Sequence, residues 1–338
     1  MANQVNRQRS LCIAREDDAA KGTAVAASTG HFLTFESGIL KGMADPVINE
    51  ESAGVLEAGL ETFANKEWSE LTFKSIVKAD WLGHVLTGLL GGVSSANSPG
   101  ESACRDHDIT VSQSVDAPAY TFFMLGTLTS EKATYGTFKR CTLECNADGV
   151  LTPEVEALAQ AMESGSGTNS FATDNHFQGS HLTVKHGANT SDLAGANGVG
   201  FHSLSLTIER DVQPHFAFGS DEPNKFIAGS LRIRGTLQLL RTGLTYRDYF
   251  TDGTFQAFRF DFEDTATTIG SSTPTYSQLL FDLDKCQIIG HDITDAADDQ
   301  DIETIEFQAM YDLDEGTPRM CYALIANTES TTAYTEPA

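Results

Sequence analysis

Strict alternation of apolar and polar side chains through the second half of the chain restricts that half to β structure. Leu204, Leu206 and Ile208 alternate with Ser203, Ser205, Thr207 and Glu209. Leu231, Ile233, Leu237 and Leu239 alternate with Arg232, Arg234, Thr236 and Gln238, with Gly235 on the apolar side. Phe258, Phe260 and Phe262 oppose Arg259, Asp261 and Glu263, while Ile305, Phe307, Ala309 and Tyr311 oppose Thr304, Glu306 and Gln308. A period of two puts successive side chains on opposite faces, so these runs read as antiparallel strands with one wet face. Cys141, Leu143 and Cys145 against Arg140, Thr142 and Glu144 carry the pattern upstream, to about residue 118. At least seven such runs, separated by turn-rich segments, predict a mainly β fold, a β-sandwich or barrel with one or two flanking α-helices.

Two helices are expected. Asp80 offers an N-cap to residues 80–90, where Trp81, Val85 and Leu89 recur at i, i+4 and i+8. Thr152 followed by Pro153 reads as a helix start, with Val155, Leu158 and Met162 on one face and Gly165 as the stop. The first ~45 residues mix charge, Gly and Ala around one extended stretch at 31–35 and read as an arm followed by a loop. Residues 164–179, rich in Ser, Gly, Asn and Thr, read as a mobile loop. GTFKRCTLE from Gly136 and GSLRIRGTLQ from Gly229 match if one residue is inserted, which raises a duplicated β unit as an expectation.

Composition narrows the function classes. A chain of 338 residues with 40% hydrophobic content can build a core. No window reaches the ~18–20 continuous apolar residues of a membrane span; the longest candidate, 81–93, is interrupted by His84, Thr87 and glycines. The polar N-terminus lacks the apolar stretch and cleavage site of a secretory signal, which argues against that export route. Acids outnumber bases 47 to 22, for a formal charge of −25 and a pI near 4.5. Affinity for phosphate comes from Lys and Arg, so stable nucleic-acid binding is disfavoured. The acidity fits a surface that DNA passes without sticking, a solubility device, or a saline habitat.

Catalytic and ligand signatures are missing. The nearest phosphate-cradle match, 195–200, has the wrong spacing and reads as a loop; G-x-S-x-G, H-E-x-x-H and C-x-x-C do not occur. His176, His181 and His186 recur every five residues, a step that turns successive side chains away from one another. Cys141 and Cys145 share a strand face and, with Cys12, Cys104, Cys286 and Cys321, read as reduced, buried thiols. Asn189-Thr190-Ser191 matches a glycosylation acceptor, which has no meaning without secretion. Residues 291–316 carry ten acids and no Lys or Arg; the spacing of Asp295, Asp298, Asp299 and Asp301 lacks the glycine of a calcium loop, so a solvated acidic loop and strand face is expected. Paired carboxylates for glycoside hydrolysis have no positive support, and no cofactor is expected.

The order of segments resembles the tail tube (major tail) proteins of tailed bacteriophages and archaeal tailed viruses. The likeness runs through GHFLTFESGILKGMADPVINEESAGV, WLGHVLTGLLGG, YGTFKRCTLECNADGV, GFHSLSLTIERDV, PNKFIAGSLRIRGTLQLL, DIETIEFQAMYD and MCYALIANTES, covering most of 22–327. The resemblance implies a non-enzymatic β-sandwich virion subunit with a flanking helix, assembled into hexameric rings stacked as a hollow conduit for the genome. Strands from neighbouring subunits would close a β-barrel around the lumen, with arms and loops reaching the adjacent ring. It also implies a domain plan: an N-terminal arm at 1–30, a tube-like domain at 31–330 with an insertion or decoration near 92–117, and a tail at 331–338. Residues before Gly30, 164–179 and 191–200 are the candidates for inter-subunit contacts.

Asp295, Asp298, Asp299, Asp301, Glu303, Glu306, Arg232 and Arg234 are the assembly or lumen candidates. Implied partners are other copies of the chain, tape measure, tail terminator and baseplate hub proteins, and double-stranded DNA in transit, in a virion tail made in the host cytoplasm; no membrane is implied. Contractile and non-contractile tails both fit. The alternatives are a carbohydrate-binding or adhesive β-sandwich, a hydrolase on a β scaffold, or another virion protein such as a hub, terminator or decoration. An adhesive module would show exposed aromatic platforms, whereas Trp68 and Trp81, the only tryptophans, both fit helical segments. On the saline-habitat explanation of the acidity, stability rises between dilute buffer and molar salt; a urea titration series without that rise excludes it.

Overall fold

The alternation is realised as long antiparallel strands in a computed structural model that describes residues 8–51, 59, 61–172, 175–271, 275–294, 301–313 and 319–336. Strands β1 (Ser10–Arg15) and β2 (His31–Leu33) and the pair β3 (Ser37–Asn49) and β4 (Glu61–Lys74) precede helix α1 (Leu82–Leu90). Then come β5 (Gly91–Asn97), β6 (Arg105–Val111), β7 (Tyr120–Leu125), β8 (Glu131–Asn146), β9 (Thr152–Ala159), the short β10 (Glu163–Ser164) and β11 (Leu182–Gly187). The chain continues through β12 (Ser203–Phe216), β13 (Pro223–Leu240), helix α2 (Thr245–Asp252), β14 (Gln256–Thr268), β15 (Tyr276–Thr294), β16 (Ile302–Ala309) and β17 (Cys321–Asn327). Strands take 57% of the chain and helical turns 10%.

Hydrogen-bonded pairing joins all of these strands into one antiparallel sheet that is not closed into a barrel. The longest layer runs β3-β4-β9-β8-β12-β13-β16-β15. A second layer runs β5-β6-β17-β15-β14-β11. Long β15 serves both, pairing with β16 through its C-terminal part and with β14 and β17 through its N-terminal part. The earlier half of β8 pairs with β7 in a third group, β2-β1-β7-β8-β10. The layers share one core, in which Phe258 of β14 stacks on Phe307 of β16 at 5.2 Å between ring centroids. Gly235 is the smallest residue on the apolar side of β13 because a Cβ there would lie 2.3 Å from the Phe307 ring.

Helix α1 is buried along its whole length and packs against β8, β6, β5 and β12. It begins at Leu82, two residues inside the expected 80–90, and its N-cap is Trp81 instead of Asp80, which accepts a hydrogen bond from the Trp81 N–H at 2.7 Å. Gly91, with φ of 98°, turns the chain out of the helix in the left-handed conformation that glycine adopts without strain. Arg210, 4% exposed, donates to the Leu89 carbonyl at 3.1 Å and the Ser114 carbonyl at 2.7 Å, so a buried cation meets the negative end of the helix. Burial lowers its pKa. At the other end of α1, buried Tyr334 from the C-terminal segment packs against Gly83, edge-on to His84 and His107.

Three expectations are corrected. The segment after Thr152 is not a helix but strand β9, because Val155, Ala157 and Ala159 point inward while Glu154 and Glu156 point out, and both flanks pair, to β4 and to β8. Pro153 is tolerated there because it sits at the start of the strand. Trp68 lies in strand β4, not in a helix. The barrel alternative fails within one chain because the sheet stays open. Residues 92–117 contain most of β5 and all of β6, the latter paired along β17 with Ile109 buried. Ser10–Arg15, inside the segment expected as an arm, is a buried strand between β2 and β7.

A buried carboxylate holds the irregular residue of β8 beside the point where its two pairings change over. Tyr135 has φ of 52°, the left-handed region that costs a residue with a Cβ roughly 1–2 kcal/mol. Glu16, fully buried, accepts the Tyr135 N–H at 2.9 Å and the Thr121 hydroxyl at 2.8 Å on one oxygen, and the Gly22 N–H at 2.7 Å on the other. Desolvation raises the Glu16 pKa against the pull of these three donors and of Lys21. A carboxylate with a raised folded-state pKa binds its proton more tightly folded than unfolded, so its contribution to stability falls as pH rises through the interval between the two values. The stability advantage of wild type over Glu16→Gln is therefore expected to narrow between about pH 4 and neutrality, a carboxylate's usual range displaced upward. Urea titrations at the two pH values check this, and an advantage that widens contradicts it.

Candidate assembly surfaces

The longest layer has two contrasting faces. Cys141, Leu143, Ile208, Ile233 and Phe307 point inward and are buried beneath α1 and the second layer. The outward residues are mostly polar, Ile39 of β3 and Leu158 of β9 excepted, and strand register lines them up in rows. In one row Glu156 of β9 stands opposite Arg140 of β8, Arg140 opposite Glu209 of β12, and Glu209 opposite Arg232 of β13. Charge signs alternate across four strands, with directly opposed Cβ atoms about 4.5–5.5 Å apart. Arg140 and Glu156 form an ion pair. Toward the β3 edge, Lys41 opposes Glu70 and Lys74 opposes Glu154. In the next row the Thr142 and Thr207 hydroxyls meet at 3.1 Å, Arg234 stands between Thr207 and Gln308, and Glu306 occupies its diagonal.

The candidates from the sequence divide accordingly. Arg232, Arg234 and Glu306 are exposed on this one wet face. Glu303 is 2% exposed, on the inward side of β16, where it meets His291 Nε2 at 2.6 Å. Its charge contributes to raising the buried Tyr246 of α2 to about 12, after desolvation. Asp301 sits at the start of β16 and pairs with Arg241 at 3.7 Å. Asp295, Asp298 and Asp299 lie outside the described residues.

Beyond residue 68 toward its N-terminus, β4 has left β9 and pairs with β3 alone, so 43–49 and 61–67 form a two-stranded ribbon extending past the sheet. Pro46 sits at its bulge, a position that needs no ladder donor. Val47, Ile48 and Phe63 are about half exposed or more, Ile48 at 57%. A two-stranded ribbon is at best marginal in water by itself. Its root is braced by the turn between β12 and β13: the Glu67 N–H donates to the Asp221 carbonyl at 2.8 Å, Lys66 covers the Phe216 ring, and Trp68 meets Phe216 edge-on. Phe218 on that turn is fully exposed. Partial burial, and then the carboxylates of Asp221, Glu163 and Glu67, raise the Glu222 pKa at the same root. Exposed apolar side chains gathered on an extension mark an interaction surface. The signal in the sequence was Ile39, Val47, Ile48 and Phe63 flanking Pro46, too irregular to read as alternation.

The remaining candidates go to separate places. His181 pairs with Asp264 at 3.6 Å and His186 packs on Tyr246, Tyr249 and Phe258, while His176 bridges to Lys78. Burial pushes the Cys141 thiol up to about 12 and Cys145 to about 11, as core thiols. Trp81 is buried and Trp68 half-buried, so neither tryptophan offers an open stacking platform. Glu209 and Arg232 have opposite signs and share a row, yet lie 23 residues apart in the chain, beyond reach of local patterning.

A family model described as phage tail tube protein matches residues 61–309, which include the ribbon's second strand, α1 and the longest layer from β4 through β16. No curated protein matches the chain. The charge row contributes little to stability, because exposed ion pairs are worth roughly 0–1 kcal/mol and the Arg140 and Glu156 side chains remain 39% and 29% exposed. Glu156→Gln is expected to lower unfolding stability by less than about 1 kcal/mol, as checked by urea denaturation; a larger loss shows that the row supports the fold.

Proposed function

The chain belongs to the phage tail tube protein family, and from that premise we propose that it polymerises into stacked, six-membered rings whose axis conducts the genome. One observation carries the reading: the longest layer is covered on one face by the chain's own core and left mostly polar on the other. If the layer closes with its neighbours into a continuous wall, the bulk of the subunit must stand outside, and only the wet face can turn to the axis. The two ends of the layer suit that closure. Among the described residues, β3 pairs only with β4, and β15 beyond residue 286 pairs only with β16. Unpaired edges invite addition of a further strand, and a ring satisfies them between identical copies.

The ribbon supplies the axial contact. Its apolar side chains reach past the sheet, where a subunit of the next ring would cover them. Tape measure protein would occupy the bore before DNA, with terminator and baseplate hub proteins at the two ends, in a tail assembled from subunits made in the host cytoplasm. No step in this role needs a catalytic group.

Negative-stain microscopy of the concentrated protein is expected to show rings or tubes. Ile48→Asp and Phe63→Asp, both on the ribbon, are expected to abolish tubes while changing subunit stability by no more than about 0.5 kcal/mol, the usual range for exposed positions. A wild-type chain that stays monomeric at high concentration, or aspartate variants that still stack, would overturn the reading.

A further inference from the structure

Acids outnumber bases about two to one over the whole chain, yet the wet face of the longest layer does not share that imbalance. Its central row, Glu156-Arg140-Glu209-Arg232, has one acid for each base, each facing the opposite sign across a strand boundary. Lys41 and Lys74 are likewise opposed by Glu70 and Glu154. We propose that this face is a surface over which double-stranded DNA slides, and that Arg140 and Arg232 are masked by the carboxylates opposite them, so adhesion in this row is prevented by pairing and not by bulk negative charge. The inference rests on the reading that the face lines the bore.

The physics of a narrow conduit favours such a wall. A duplex carries one negative charge per about 1.7 Å of axis, so unmasked arginines would exchange for its counterions and hold it in place. A uniformly acidic wall would push on the duplex over a Debye length of about 8 Å at physiological salt. Charges of alternating sign about 5 Å apart cancel at shorter range than that, leaving neither grip nor strong repulsion. Stability does not explain the row, since its ion pair is substantially exposed. Thr142 and Thr207 continue the surface with hydroxyls bonded to each other.

The test unmasks the arginines. The purified full chain carrying Glu156→Gln and Glu209→Gln is compared with wild type, and with a control of equal charge change away from the face, Asp192→Asn with Asp252→Asn. Binding of a dye-labelled DNA duplex is read by fluorescence anisotropy, with folding verified by circular dichroism. Wild type and control are expected not to bind. The glutamine pair is expected to bind at 50 mM salt and to lose about tenfold in affinity by 200 mM, as two newly freed phosphate contacts predict. Adding Arg140→Gln and Arg232→Gln to the pair should remove the gain. No gain in the glutamine pair, or an equal gain in the control, overturns the masking. Tubes of the glutamine pair decorated with DNA along their outer surface would instead place the face outside, overturning the bore reading while the masking stands.

Discussion

The architecture depends on one irregular residue in a strand that joins two groups of strands. Strand β8 pairs with β7 through its first residues and with β9 and β12 through the rest, so it joins two groups of strands. Tyr135, next to the changeover and inside a register shift against β7, takes a backbone conformation that a side chain makes unfavourable. Glu16 holds it there, collecting donors from Tyr135, Thr121 and Gly22 around one dehydrated carboxylate. A buried charge is tolerated only when its hydrogen-bonding capacity is filled, and here filling it ties the N-terminal segment to β7 and β8 at once. The strand can then continue into the longest layer with its polar side outward.

The layer that β8 enters is asymmetric, and the proposed assembly rests on that asymmetry. Helix α1, buried along its whole length with His84 and Thr87 among its apolar residues and met at its C-terminal end by Arg210, packs on the inward side of the layer. The opposite side is left to water, with its charges opposed in rows. Among the described residues, the ribbon and the edges at β3 and β15 are what a lone subunit leaves without a further strand. A fold whose covered face, wet face and open edges lie in fixed relation is suited to building a wall, and the family to which the chain belongs builds tail tubes.

Much of this was readable from residue order. The runs at 203–209, 231–239, 258–263 and 304–309 are strands with the expected inward sets, since a period of two reports which residues share a face without reference to anything distant. Helix α1 was legible for the same local reason. The segment after Thr152 misled because Val155, Leu158 and Met162 fit a helical stripe while Val155, Ala157 and Ala159 fit a strand, and pairing on both flanks selected the second. Helix α2 gave little signal: its N-cap, Leu244, makes no side-chain bond, and Tyr246 is its only buried residue. Glu303 looked like its acidic neighbours in a charge run, although its parity with Ile305 and Phe307 already placed it inward.

What the chain's own order determined, then, was the class of fold and the face on which most strand residues sit. Tertiary structure alone decided which strands are neighbours and in what register. That is why Arg140 stands between Glu156 and Glu209, why Glu303 meets His291, and why the ribbon leaves the sheet at residue 68. The physical reason is one of range. Alternation is imposed by backbone geometry between adjacent residues, whereas register is settled by hydrogen bonds and side-chain packing between segments tens of residues apart, for which a single sequence carries no local mark.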